Sequence, residues 1–390
     1  MTRPSALQNP AAGSKKFTGR AGRRGFSLIE LLVVMFIIVL VVSIVVPTLA
    51  KARQASRITV TKSLMNHVLT SAATFQADER RLPGMYSGRD MGSDDNASSV
   101  GMTMMENVML DLAGGVVQIG GSKPASGGMQ IHPFGGGSSS RAAQEGAWVD
   151  IGLIGQPTKS GKGYFTPDKK YFIEQLDPSQ VGSAGKATST NDNHTYPDLV
   201  DPWGQPILMW LEDETVVGKV GFDSGNSGAN NFARLTSSDA NKSPARHYWN
   251  SNAGFLKSDR FGKRVTDNAG LSLVGSSVAQ PELESSLAGL LGSPASPSEI
   301  GSPTASKPPN QILPTASRGK IVVHAAGPDG IFLNKEDSAG RGQFKGNAML
   351  YGYNFVDPGT GNTLRVDSSG KPTSVDLADF FDDEVISGGN

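Results

Sequence analysis

Two groups of acidic residues carry most of the chemistry open to this sequence. The first is a single side chain, Glu30, at the head of an apolar run that stays uncharged from Leu31 to Ala50, before Lys51. A carboxylate in such a run costs several kcal/mol in lipid and needs a partner. A cut between Gly25 and Phe26 would create one, because the new α-amine at Phe26 of a neighbouring copy could meet Glu30 and neutralise it. The second group is Asp329, Asp337 and the run Asp382-Asp383-Glu384. These are hard oxygen ligands, of the kind Ca²⁺ takes roughly six to eight at a time. A plainer reading stays open beside it, in which Asp329-Gly330 is a turn and the C-terminal acids are a solvated face. The spacing is not that of an EF-hand.

Other catalytic patterns fail. The pairs Gly161-Lys162 and Gly319-Lys320 lack both the upstream glycine and the following Ser or Thr of a phosphate-binding loop. His67, His132, His194, His247 and His324 are scattered without metalloprotease spacing, and no nucleophile-elbow motif occurs. The absence of cysteine removes disulfides, thiolate metal sites and thiol nucleophiles together. Met102, Met104, Met105 and Met109 read as gap-filling core residues in preference to a soft-metal cluster.

The element that positions Glu30 is a helix. An apolar run of about 20 residues spans the ~30 Å hydrocarbon core of a bilayer. Pro47 lies about six turns beyond the start, as a helix-weakening residue. Arg3, Lys15, Lys16, Arg20, Arg23 and Arg24 precede the run with no acid among residues 1 to 25, so the leader stays cytoplasmic and the bulk of the chain is exported. Those six are part of 36 basic residues against 36 acidic ones, and losing them leaves a mildly acidic mature chain. That argues against nucleic acid as a partner.

The stretch GFSLIELLVV after Arg23 and Arg24 resembles the cleavage and methylation motif of type IV prepilins and type II secretion pseudopilins. The match is specific over residues 22 to 48. An uncleaved signal anchor would also have a basic flank and an apolar run, but would not explain Gly25, Phe26 and Glu30 together. The resemblance implies a membrane prepilin peptidase that cuts after Gly25 and methylates the new amine of Phe26. It also implies that Glu30 pairs with the amine of an adjacent subunit as a filament is drawn from the membrane.

Beyond Lys51 the helix continues in amphipathic form, because Ile58, Met65, Val68, Ala72 and Phe75 recur at helical steps. Pro83 and Gly84 predict its end near Arg80. Thr103-Met104-Met105-Glu106 is a capping-box pattern that opens a short helix stopped by Gly114 and Gly115. Pro167 and the pair Phe172 and Leu176 predict another over 168–176. Asp201-Pro202-Trp203-Gly204 predicts a turn into a strand over 207–211, with 215–220 as its hairpin partner and further strands over 321–325 and 349–355.

Glycine (48) and proline (23) exceed the typical joint share of about one residue in eight, so the globular part is loop-rich. Residues 276–309, with six prolines and nine serines, read as a surface loop. Leu283, Leu287, Leu290 and Leu291 could fold one piece of it as a helix.

DPWG before an apolar strand and AAGPDG (Ala325 to Gly330) after another are similar to the major pseudopilin of type II secretion systems. The resemblance implies calcium near the acidic loop, with Asp329, Asp337, Asp382 and Asp383 as the ligand set. The chain departs from that family in its inserted material between 85 and 195 and between 221 and 318, and in its last stretch, LADFFDDE.

The expected fold is α+β and pilin-like, a long N-terminal helix packed on a small antiparallel sheet with large loop-rich insertions. The expected divisions are a leader (1–25), the long helix (26–80, transmembrane to about 50), a globular part with a helical and glycine-rich insertion (81–220), a low-complexity flexible insertion (221–318), and C-terminal strands with the acidic loop (319–390). The expected function is that of a non-enzymatic filament subunit in the bacterial inner membrane, single-pass with its bulk periplasmic. Its expected partners are copies of itself, prepilin peptidase, an inner-membrane assembly platform, other pseudopilins and membrane lipid. The alternatives are an adhesive or DNA-uptake type IV pilin and, from another class, a membrane-tethered exported enzyme or binding protein.

Overall fold

The structure, a computed structural model, describes residues 26–87, 102–131, 146–156, 163–174, 196–212, 232–234, 246–248, 252, 270–275, 278, 286–287, 289–292, 317–337, 344–345, 348–349 and 376–389. The chain divides into two units, Met1–Arg53 and Gln54–Asn390. A long helix, α1 (Leu28–Glu79), enters both.

In the first unit the large apolar side chains from Phe26 to Leu49 are all exposed, each by 47% or more. The uncharged run is therefore apolar on every face, as a lipid-embedded helix must be. Pro47 sits inside the helix without interrupting it. Close by, the hydroxyls of Ser43 and Thr48 donate back to Leu40 O (2.7 Å) and Ile44 O (2.7 Å) and so hide their polarity against the backbone.

In the second unit α1 turns amphipathic. Its buried residues are Thr61, Met65, Val68, Ser71, Ala72 and Phe75, one stripe at three- and four-residue steps. The helix stops where proline and glycine predicted, but the stop itself is Arg80. This residue takes the left-handed conformation (φ 61°), and its N–H bonds Gln76 O at 3.0 Å. Arg81 then anchors the exit, donating to both oxygens of Asp111 at 2.6 and 3.0 Å.

Asp111 lies on α2 (Met104–Leu112), whose capping box is formed as its sequence predicts. Glu106 N–H donates to Thr103 Oγ1 (3.3 Å) and Thr103 N–H to Glu106 Oε2 (2.5 Å). Gly114 and Gly115 follow at positive φ and end the helix. The strands β1 (Val116–Ile119), β2 (Met129–Ile131) and β3 (Ala147–Val149) form an antiparallel sheet in the order β1-β3-β2.

Over residues 168–174, the described part of the helix expected over 168–176, the chain forms a turn and a strand instead. Asp168 accepts from Lys170 N and Tyr171 N through its side chain and its carbonyl, and β4 (Phe172–Glu174) pairs with β5 (Pro197–Leu199). Phe172 and Ile173 suit a strand, and a non-local partner overrides the weak helical spacing.

The sheet that builds the acidic loop has the order β12-β9-β6, with β6 at Leu208–Leu211, β9 at Ile321–Ala325 and β12 at Glu384–Gly388, all antiparallel. Strand β9 is buried along its whole length. The expected strand at 321–325 is present. β6 pairs with β9, whereas its expected hairpin partner, 215–220, lies outside the described residues, as do residues 350–355 of the fourth candidate strand. The turn before β6 forms as expected, with Gly204 at φ 85° and Asp201 Oδ1 accepting from Trp203 N and Gln205 N. Two short pairs complete the described strands: β7 (Phe232–Arg234) with β8 (Arg246–Tyr248), and β10 (Phe344–Lys345) with β11 (Ala348–Met349). The overall class is α+β, a long helix with small antiparallel sheets.

Parts of the 221–318 stretch are built into this unit. His247 of β8 is fully buried and bridges to Glu212 at the end of β6. The side chain of Asn252 accepts from Met104 N (3.0 Å) and donates to Met209 O (2.6 Å), joining the start of α2 to β6. Leu287, Leu290 and Leu291, in helical backbone, are buried, while Leu283 lies outside the described residues. Arg318 ties this piece down, donating to Leu290 O and to both oxygens of Asp376.

Burial pushes the His247 imidazole from 6.5 down to about 4, against the bond between its Nε2 and Gly319 O. The unfolded chain therefore binds a proton first as pH falls, and His247 lowers stability progressively between pH 6.5 and about 4, by on the order of 3 kcal/mol at the low end. Denaturation of the full chain in detergent, measured across this range, should show a shallower pH slope for His247→Gln than for the parent. Equal slopes would show that His247 does not set this dependence.

Candidate functional site

Of the residues at the processing motif, Gly25 lies outside the described residues, and Phe26 is 84% exposed at the helix entrance. Glu30 is placed by the first turn of α1. The Leu31 N–H bonds Ser27 O at 3.2 Å, and Ser27 N–H donates to Glu30 Oε2 at 2.8 Å. The acid thus completes half of a capping box, taking up a backbone donor that the helix leaves unpaired. Its charge also lies at the positive end of the helix dipole. This partner was readable in Ser27-Leu28-Ile29-Glu30, a serine followed three residues later by glutamate. Sequence reasoning assigned the acid an intermolecular partner and missed this local one.

The acidic loop is assembled by sheet register. Glu384 pairs with Ala325, so the chain leaving β9 and the chain entering β12 emerge side by side. Gly327 makes the close approach possible. It adopts φ 70°, and a Cβ there would come within 2.2 Å of Asp382 O. One carboxylate oxygen from each of Asp329, Asp337 and Asp382 then falls within 4.8 Å of the other two. Asp329 Oδ1 accepts from Ile331 N (2.8 Å) and its Oδ2 from Asn334 Nδ2 (2.5 Å), while Asp337 Oδ2 accepts from Asp382 N (3.3 Å).

Asp382 Oδ1 is buried without a hydrogen-bond partner among the described residues. Burial, and then the charges of Asp329, Asp337 and Asp383, push the Asp382 carboxyl up to about 9. A buried orphan oxygen among like charges is what a bound cation would satisfy. The donor set, oxygen only and partly exposed, suits a hard divalent ion such as Ca²⁺.

Asp383 points the other way. Its Oδ2 lies 2.5 Å from His324 Nε2, and Leu333 N–H donates to both of its oxygens, at 2.9 and 3.1 Å. Both side chains are fully buried. Burial, then Arg318, holds the His324 imidazole down to about 3, and burial holds the Asp383 carboxyl well above its usual range. Both shifts favour the uncharged forms of the two side chains. Sequence reasoning found Asp383 but not His324, because the two come together only through the pairing of β9 with β12.

Residues 20–46 match the family described as the prokaryotic N-terminal methylation motif. No curated protein and no solved structure matches the chain. The matched stretch covers the basic flank, Gly25, Phe26, Glu30 and most of the exposed apolar half of α1. This motif and the apolar helix that carries it support a type IV prepilin-like protein.

Proposed function

We propose that this protein is a structural subunit of a type II secretion pseudopilus. In this reading it is cut after Gly25, methylated at Phe26 and polymerised through α1 with copies of itself. The observation that carries the reading is the junction itself: a methylation motif feeding a helix whose first half buries no side chain and whose second half is the spine of a folded unit. Prepilin peptidase and an inner-membrane assembly platform are the partners this implies, with other pseudopilins at the growing end. Before extraction the bulk lies in the periplasm. The pseudopilin branch is preferred to an adhesive or DNA-uptake pilin because the DPWG turn leads into β6 and the AAGPDG turn leaves β9, the two strands that frame the acidic loop.

The same reading places Ca²⁺ at Asp329, Asp337 and Asp382. When bound, the ion supplies positive charge to three carboxylates and pins the exit of β9 to the entrance of β12. Asp383 contributes from behind, by fixing Leu333 N and His324.

The N-terminal mass of the purified mature protein should correspond to a chain that begins at Phe26 and carries one methyl group. Gly25→Val should leave only precursor on a blot, since a branched side chain blocks approach to the backbone. Normal processing of that variant would count against the prepilin reading.

Glu30→Ala should insert in the membrane at least as well as the parent, because the charge costs a few kcal/mol there. It should nevertheless lose cross-linkable oligomers. Parental cross-linking in this variant would remove Glu30 from assembly.

For the ion, the full chain in detergent should melt higher with millimolar Ca²⁺ and less so with Mg²⁺, which holds its water more tightly. The gain is about 2.7 kcal/mol at a hundredfold excess over Kd. Asp382→Asn should abolish it. A melting temperature indifferent to Ca²⁺ and to chelator would leave the three acids as a loop without an ion.

A further inference from the structure

The stretch expected to be a flexible insertion holds the acidic loop from its far side. Leu273 N–H donates to Leu333 O at 3.0 Å and Lys335 N–H donates to Leu271 O at 3.0 Å, either side of a bridge between Ser272 and Asn334. The Ser272 hydroxyl donates to Phe332 O at 2.7 Å and accepts from Val274 N at 3.1 Å. Lys335 Nζ reaches back to Gly270 O at 3.0 Å. Ser272, Leu273, Val274 and Asn334 are all buried. Segment 271–274 is thus a short strap laid antiparallel on residues 332–335.

What the strap holds is the residue that orients a carboxylate. Asn334 has both ends of its amide committed: Oδ1 accepts from Glu336 N at 3.0 Å and Nδ2 donates to Asp329 Oδ2. Asp329 Oδ1 is fixed independently by Ile331 N. With its amide fixed at both ends and its backbone pinned by the strap, Asn334 sets the rotation of the Asp329 carboxylate toward Asp337 and Asp382. Groups that orient a metal ligand from behind govern affinity nearly as much as the ligands themselves.

We infer that Asn334 is the positioning residue of the acidic site and that insert residues 271–274 are the strap that positions it, so that cation binding at the loop and docking of the insert are coupled. This rests on the calcium reading given above. Coupling is reciprocal: if the docked strap favours the ion, the ion favours the docked strap by the same factor. The insert is then a part whose order reports on the ion, and any partner that pulled the strap away would loosen the ion.

Ca²⁺ alone is the probe, with the full chain in detergent micelles. Amide hydrogen exchange should slow on Ca²⁺ addition at 271–274 as well as at 329–337. By titration calorimetry Asn334→Ala should bind Ca²⁺ about tenfold or more weakly and lose the Ca²⁺-dependent protection of 271–274. Ser272→Ala, a milder change two contacts from the ion, should weaken binding about fivefold. If Asn334→Ala does not fold, the parental exchange pattern and Ser272→Ala decide.

Protection confined to the loop, or parental affinity in the folded variants, would overturn the strap while leaving calcium in place. No calorimetric binding to the parent would overturn both.

Discussion

One helix has to be compatible with two solvents, and the second unit depends on how it manages the second of them. From Thr61 to Phe75 α1 offers a single buried stripe, and Met65, Val68, Ala72 and Phe75 form one cluster with Met105, Val108 and Met109 of α2, Leu211 of β6 and Val323 of β9. A helix of this kind gains most of its stability from such packing, not from intrinsic propensity. The first half has no such cluster among the described residues, and its exposed apolar side chains fit a membrane anchor. The change in pattern falls where the charges begin, at Lys51, Arg53 and Arg57.

The polar chemistry of the acidic loop is arranged around β9, a strand buried along its whole length. It carries His324 into the interior and meets Asp383 there, while one residue earlier Asp382 faces the acidic loop. Where the chain bends before entering β12, these two neighbouring aspartates come to serve different environments. One is buried against an imidazole, where burial favours its uncharged form. The other is left with a buried oxygen that has no hydrogen-bond partner among the described residues.

Elements whose causes are local were legible in the sequence. The capping box at Thr103 and Glu106, the glycine stop after α2, the stripe on α1 and the turn at Asp201 depend on neighbours within a few residues. What was illegible depends on distant partners. Phe172 and Leu176 satisfy a helical spacing, yet Leu199 claims Phe172 for a strand. The pairing of β6 with β9, far downstream, carries no local signal. Asp329, Asp337, Asp382 and Asp383 read from the sequence as one acidic group, and the separation of Asp382 from Asp383 required the register of β9 with β12. Asn252, Ser272 and Arg318 lie in or beside a stretch whose composition signals a loop. Each nonetheless anchors buried backbone, because a few committed hydrogen bonds suffice to hold a segment that has little apolar area of its own.

The bond from Ser27 to Glu30 has a consequence for valence. A carboxylate offers about four lone-pair sites, and the helix start occupies one of them. A donor arriving from another molecule can therefore be added to Glu30 without displacing the one already there, and the first turn of α1 need not unwind to receive it. Association at this point is an act of completion, in which an unsaturated acceptor fills its remaining places while the helix that presents it stays whole.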